Sequence, residues 1–220
     1  MCHNASPTDA TDCLGGSRSS RNTSTAPLGK TTGVLTTISL LPKQFRSFAS
    51  IPKNPVRQIS TMRWGLVTHW AKDASGAAGM INARSETAAT KTAFRDPLRY
   101  RRCLIPADGF YEWSRTSTNK QPYCFEVNDG ELFAFAGLWD GWKDATGNWV
   151  KSCSILTTTP NSVTSAVHDR MPVILGMDDY DVWLDPNMNK VSELSKLLVP
   201  IRCQVDAELR SEHADQLRRQ

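Results

Sequence analysis

With 220 residues the chain is long enough for one large or two small domains and can bury a core without disulfides or metals. Its 40% hydrophobic content, including seven Trp and seven Phe, excludes a wholly disordered protein, and no apolar run approaches the roughly 18 residues of a membrane span. Against 22 acidic side chains stand 26 basic ones, a net +4 that is compatible with a polyanionic partner without requiring one.

Residues 1–33 are rich in Ser, Thr, Gly, Asn and Ala with no helical or strand period, which predicts a disordered tail. From Asn54 onward short apolar segments alternate with turn chemistry. Tyr123 to Val127 and Glu131 to Trp139 are aromatic and branched, and the intervening Asn128-Asp129-Gly130 predicts a hairpin between them. Ser154 to Thr159 reads as a buried strand closed by Pro160-Asn161. A short helix is expected over Ser162 to Val167, a strand over Pro172 to Leu175, and helices over Asp178 to Leu184 and Val191 to Leu198. Many short strands with few helices predict a mixed, β-rich α/β fold: a single compact domain with short helices around a β core.

The N-terminus has no basic segment followed by an apolar one, so the protein is expected inside the cell. Cys2, Cys13, Cys103, Cys124, Cys153 and Cys203 lie far apart with no C-x-x-C pair, which favours free thiols in a reducing compartment; Cys103, Cys124 and Cys153 stand in apolar contexts and should be buried. The four histidines are equally dispersed and form no zinc signature. Charge is concentrated between Arg84 and Arg102, where six basic side chains face Glu86 and Asp96.

Three stretches join polar groups to rigid apolar neighbours: Met80 to Thr87, Ala107 to Trp113, and Val167 to Pro172. Glu112, between Tyr111 and Trp113, is either an acid–base group raised by desolvation or a carboxylate turned to water from an alternating strand. His168 is equally readable as a hydrogen-bonded structural histidine. Trp70 and Trp113 are either core residues or platforms for nucleic-acid bases, and the basic window is a ligand surface or an ordinary solvated face.

Taken together and in order, Arg63-Trp64-Gly65-Leu66, Ile81 to Thr87, Pro106 to Trp113 and His168-Asp169-Arg170-Met171-Pro172 resemble the SOS-response-associated peptidase family of abasic-site processing proteins, over about Asn54 to Leu198. The resemblance implies a protein of the DNA-damage response that binds single-stranded DNA and captures abasic sites through a cysteine at residue 2. On it, Cys2, Asn82, Glu112 and His168 fall on active-site positions, and Trp70, Arg84, Trp113 and Arg170 on or beside DNA-contacting ones. No metal or organic cofactor is implied. The partner is single-stranded DNA containing abasic sites, with no membrane, and the protein is expected to be a cytoplasmic monomer, nucleoid-associated when bound to DNA. Two other readings keep the same residues: a cysteine-type peptidase or autopeptidase using Cys2 with His168 as base, and a non-covalent single-strand binder.

The ends depart from that family, which divides the chain into a divergent, poorly ordered segment 1–53 carrying Cys2, a family-like domain 54–198, and a divergent tail 199–220. His3-Asn4 replace an expected Gly-Arg, and a Tyr-Asn and Pro-Thr segment is missing before Asn54. A frame shifted by two bases restores it: Thr36 and Thr37 permit Tyr-Asn, and Leu41 and Pro42 permit Pro-Thr. A one-base shift after Arg202 likewise permits a family-like C-terminus. Both ends are therefore expected to be out-of-frame translations that leave the chain weakly active or inactive.

Overall fold

The computed structural model describes residues 44–51, 54–113, 122–128, 130–201 and 209–213, all within one compact unit, Leu35–Gln220. The predicted tail, residues 1–33, lies outside the described residues. The strands are β1 (Gln44–Ile51), β2 (Asn54–Trp64), β3 (Asn82–Arg84), β4 (Arg102–Ala107), β5 (Gly109–Trp113), β6 (Pro122–Val127), β7 (Phe133–Lys143), β8 (Trp149–Thr158), β9 (Met171–Pro172), β10 (Ile174–Leu175) and β11 (Leu209–His213). The helices are α1 (Ser85–Ala88), α2 (Thr92–Tyr100), α3 (Tyr180–Leu184) and α4 (Val191–Lys196). This is the mixed, β-rich α/β fold that the sequence predicts. β1 falls inside the stretch that the sequence sets apart as divergent, and β11 inside the C-terminal one.

In the larger sheet β7 pairs with β4, β4 with β1, β1 with β2, β2 with β8, and β8 returns to β7. Five strands thus form a closed circuit, which removes free edges that would otherwise template aggregation. A second, three-stranded sheet runs β11-β6-β5.

Alternation along β7 explains how this sheet is covered on both faces. Phe133 and Phe135 point to one side, where Met62, Cys103, Ile105, Cys153 and Ile155 converge with Phe110 and Phe125 of the smaller sheet. The small side chains Ala134 and Ala136 point to the other, where they leave room for Phe94 and Leu98 of α2, Trp183 of α3 and Leu194 of α4. Gly137 keeps the first face close-packed: a Cβ there would lie 2.7 Å from Cys103 Sγ and 2.8 Å from Ile105 Cδ1.

The predicted hairpin over Asn128-Asp129-Gly130 does not form. β6 pairs with β5 and β11, whereas β7 pairs with β4, β8 and β10, so the turn is a corner between two sheets. Its chemistry was read correctly, since Asn128 and Gly130 have φ of 44° and 88°, but both flanking strands found better partners elsewhere. β7 instead forms a hairpin with β8, closed by Asp144, whose Oδ1 accepts from Thr146 N, Thr146 Oγ1 and Asn148 N at 2.7–2.9 Å. The strand expected over Pro172 to Leu175 divides at Val173, because β9 pairs with β8 and β10 with β7.

Much of the basic window is structural. Arg102, only 4% exposed, donates to the carbonyls of Leu98, Arg99, Trp183 (2.6 Å) and Asp185 (2.6 Å), and so closes the C-terminal ends of α2 and α3 together. Burial pulls its pKa down to about 10, with nearby Asp185 opposing, so it remains charged at neutral pH. Only a planar fork can serve four carbonyls in these directions. Arg102→Lys should therefore lower the unfolding free energy by about 3 kcal/mol, because buried acceptors lose their donors. Urea denaturation measures this; an unchanged midpoint would show that the carbonyls find other donors.

Candidate functional site

The candidate site is organised by the C-terminal end of β8, which changes partner on both edges. On one edge β7 pairs as far as Ile155 and β9 takes over at Thr157 and Thr158. On the other, β2 pairs at Ser152 and Cys153 and β3 takes over from Ile155 to Thr157. Asn82 and Arg84 project from β3 on its exposed face while Ala83 is buried, as strand alternation requires. Beyond Arg84 the chain turns into α1, which carries Glu86.

Arg170 crosses this end of β8. Its Nη1 and Nη2 donate to Glu86 Oε1 and Oε2 at 2.6 and 3.0 Å, and Nη2 also reaches the Thr157 carbonyl at 2.6 Å. The two-point pairing is the strongest geometry available to an ion pair, and it links the chain leaving β3 to the chain entering β9. Arg84 lies near enough for its charge to act on Glu86 as well. Two arginines therefore share one carboxylate, and the cluster keeps an excess of positive charge.

Glu112 and His168 meet across the two sheets, with His168 Nε2 4.0 Å from Glu112 Oε2 and both side chains half-buried. The sequence flanks Glu112 with Tyr111 and Trp113, but these point to the opposite face of β5. Its neighbours on the same face are Phe110, stacked on Phe125 at 5.1 Å, and Tyr123, its partner on β6. Glu112 thus stands at the rim of the aromatic core, which partly desolvates it. Tyr111 is no rival acid–base group, since burial pushes its pKa up to about 12.

The His168 ring is held at Nδ1. The Arg170 amide donates to it at 3.1 Å, while the Arg170 carbonyl at 3.2 Å and Asp169 Oδ1 at 3.3 Å are acceptors for the protonated ring. With Nδ1 accepting, the neutral ring carries its proton on Nε2, toward Glu112. Nε2 is thus the ring nitrogen turned toward Glu112, and a slight approach from 4.0 Å would bring the two groups into hydrogen-bond reach.

Asn161 shapes the loop that delivers His168, and sequence reasoning missed it. Its Oδ1 accepts from Val163 N, Thr164 N and Thr164 Oγ1 at 2.9–3.1 Å, and its Nδ2 donates to the Ile201 carbonyl at 3.2 Å. The Thr164 carbonyl in turn accepts from His168 N at 2.9 Å. The available signal was Pro160-Asn161-Ser162, a turn-initiating pattern. Glu86 and Thr157, which hold Arg170, were likewise not singled out.

Trp70 and Trp113 are 56% and 43% exposed, Trp70 on the loop after β2 and Trp113 at the end of β5. Cys103, Cys124 and Cys153 are buried as expected, and burial raises the Cys103 thiol and takes Cys153 up to about 12, which suppresses their thiolates. Cys2 lies outside the described residues. No group of three metal-ligating side chains occurs among the described residues, and none of their helices is long and apolar enough to cross a membrane.

The Glu86 carboxyl is held below its ordinary value of 4.5, chiefly by the hydrogen bonds from Arg170. A carboxyl whose pKa is lower in the folded than in the unfolded state stabilises the fold fully above the unfolded value and loses that contribution as pH falls through the folded one. Glu86→Gln should therefore flatten the acid limb of a melting temperature–pH profile below about pH 4.5. Identical limbs in the two proteins would show that the pair adds nothing to stability.

Residues 12–212 match the family described as SOS response associated peptidase (SRAP). Among curated proteins, the abasic site processing protein YoaM of Bacillus subtilis is 46% identical over 144 residues, covering 65% of this chain and 63% of that protein. The abasic site processing protein HMCES of Rattus norvegicus is 34% identical over 176 residues, covering 66% of this chain and half of that protein, so the chain spans only part of the relatives it matches. A crystal structure of a protein from Bacteroides thetaiotaomicron superposes with a TM-score of 0.68 at 31% identity, covering 80% of this chain and 76% of that one. One from Bordetella bronchiseptica gives 0.65 at 29% identity, covering 79% and 86%. The family match extends over most of the chain and includes Asn82, Glu112 and His168; this protein belongs to the SOS response associated peptidase family.

Proposed function

We propose that this protein processes abasic sites by capturing them covalently in single-stranded DNA, as part of the cell's response to DNA damage. The observation that carries the reading is the Glu112–His168 pair, 4.0 Å apart and half-buried, on a chain where Arg84 and Arg170 stand as two cations against the single carboxylate of Glu86. The names of its relatives point the same way.

The chemistry starts at Cys2. Removal of Met1 leaves an α-amine and a thiol on adjacent carbons, and both titrate near neutrality, at about 8 and about 8.5. The amine adds to the C1′ aldehyde of the open abasic sugar and loses water to form an imine. The thiol then adds to the imine carbon and closes a five-membered thiazolidine, with one water released overall. Glu112 gives and takes the protons of these steps, His168 assists at the sugar hydroxyl or in reversal, and Asn82 orients the amine or developing oxyanion. Arg84 and Arg170 hold phosphates, while Trp70 and Trp113 support unstacked bases. The protein acts as an intracellular monomer, nucleoid-associated when bound to DNA, and uses no cofactor.

A second reading draws on the word peptidase in the family description: Cys2 would act as the nucleophile of an autoproteolytic step that exposes its own amine. An internal-peptide protease has no need of its cysteine at residue 2, whereas ring closure needs the cysteine's own α-amine. This favours DNA capture.

A denaturing gel that compares abasic with intact oligonucleotides tests the proposal. A heat-stable adduct should form on abasic DNA alone, disappear in Cys2→Ala, and form more slowly in Glu112→Gln, with DNA binding retained. The chain as given should be weakly active or inactive, and one with both frames restored from the coding DNA should be much more active. If neither yields a Cys2-dependent adduct, the capture chemistry is wrong. Stop codons in the shifted frames would instead show that the termini are genuine divergence.

A further inference from the structure

A second cluster of charged groups lies away from Glu112 and His168. Asp140 on β7 has a side chain only 4% exposed, yet it is ionisable and surrounded by donors. Its Oδ1 accepts from Gly141 N at 2.9 Å and lies 3.2 Å from Arg101 Nε. Its Oδ2 accepts from His69 N at 3.0 Å, from His69 Nδ1 at 3.1 Å and, at the limit of reach, from Arg101 Nη2 at 3.5 Å. Both oxygens thus accept hydrogen bonds, which only a carboxylate could do, because an amide accepts at one atom alone. Arg101 is fixed in turn, its N–H donating to the Pro97 carbonyl and its carbonyl accepting from Trp139 N.

These contacts converge on one loop, residues 65–71, which is tied down at every second position. Gly65 N donates to the Cys153 carbonyl, and Ser152 Oγ bonds both Val67 N and the Val67 carbonyl. His69 is bound to Asp140 by backbone and ring together, and Trp142 Nε1 donates to the Ala71 carbonyl at 2.7 Å. The tight course of the loop also requires Gly65, whose φ is +107° and where a Cβ would lie 2.6 Å from the Ala77 carbonyl oxygen. Trp70 stands between the last two ties. Since its ring is more than half exposed, its direction must come from the backbone on either side.

We propose that Asp140 is a positioning residue for Trp70: clamped between Arg101 and His69, it fixes the loop that presents the Trp70 ring to a single strand of DNA. A free indole on a mobile loop loses conformational freedom when a base stacks on it, and an anchored one has already lost it. The proposal rests on the role given to Trp70 above. His69 is the residue through which it is tested, because Asp140→Ala strands the Arg101 charge and endangers the fold. His69→Asn places an amide N–H within the reach of Nδ1, whereas His69→Ala removes the ring tie.

The measurement is the affinity of the purified protein for a fluorescent single-stranded oligonucleotide at fixed salt, in a double-mutant cycle with Trp70→Ala and with melting temperatures recorded alongside. Trp70→Ala should weaken binding about tenfold, the size of one lost base–aromatic stack. His69→Ala, which keeps the backbone bond to Asp140 and loses the ring bond, should by itself weaken binding by part of that factor, His69→Asn should bind nearly as the parent does, and His69→Ala should cost nothing further once Trp70 is gone. A His69→Ala penalty that is equal in both backgrounds, or absent in both, overturns the positioning role even if DNA binds. A parent that fails to bind, or a Trp70→Ala variant that binds equally well, overturns the underlying reading of Trp70, and the proposal with it.

Discussion

β8 is hydrogen-bonded to four other strands, two on each edge, and the place where it exchanges them decides where chemistry is possible. Along its first two thirds β7 and β2 hold it in the closed circuit, and its side chains pass from the exposed Trp149 and Lys151 to the buried run that starts at Ser152. At Ile155 to Thr157 both partners are replaced by short strands, β3 and β9, whose chains leave the sheet within a few residues. A short strand cannot bury both faces, so Asn82 and Arg84 reach solvent from a framework that is itself rigid. The closed circuit supplies the rigidity, and the exchange of partners supplies the opening.

Two departing chains at one point would diverge without a link, and Arg170 provides it by pairing with Glu86 and the Thr157 carbonyl. The same guanidinium is the candidate phosphate contact, so the two tasks compete for its donors. Arg84 eases the conflict. Two cations stand against one carboxylate, so the charge of Arg84 is not consumed by the pair that Arg170 makes with Glu86. The cluster between Arg84 and Arg102 is divided in the same way: Arg101 and Arg102 hold Asp140 and helix-end carbonyls, while Arg84 faces outward.

The sequence made the β-rich class and the buried Cys103, Cys124 and Cys153 legible, because each depends on local pattern, and its motifs led to Glu112 and His168, whose side chains approach to 4.0 Å. It did not reveal which strands pair. The corner at Asn128 has the turn residues of a hairpin, and nothing in residues 122 to 143 tells that β6 belongs to β5 while β7 belongs to β4 and β8. Register is set by which apolar faces can be buried together, a property of the whole sheet. For the same reason Glu112 looked flanked by Tyr111 and Trp113, whereas its environment comes from Phe110 two residues back and Tyr123 across the sheet. The anchoring roles of Asp140, Asn161 and Glu86 were not legible because an anchoring residue is defined by partners distant in sequence: Asp140 is joined to residues 71 and 39 positions away.

These anchors share one physical logic. Asp140 ties the loop before Trp70, Asn161 the loop before His168, and Glu86 pairs with Arg170, and in each case the group so held is a side chain that stands on a loop and stays at least partly accessible. A reactive or binding group cannot be held by burial without losing access to its substrate, so the cost of ordering it must be met by hydrogen bonds to groups that are buried or nearly so. That requirement explains why a carboxylate is tolerated within the β7–β8 hairpin base, where an apolar side chain would pack more cheaply. It accepts from the loop ahead of it and from the helix end behind it at once, and no apolar residue can transmit direction in that way.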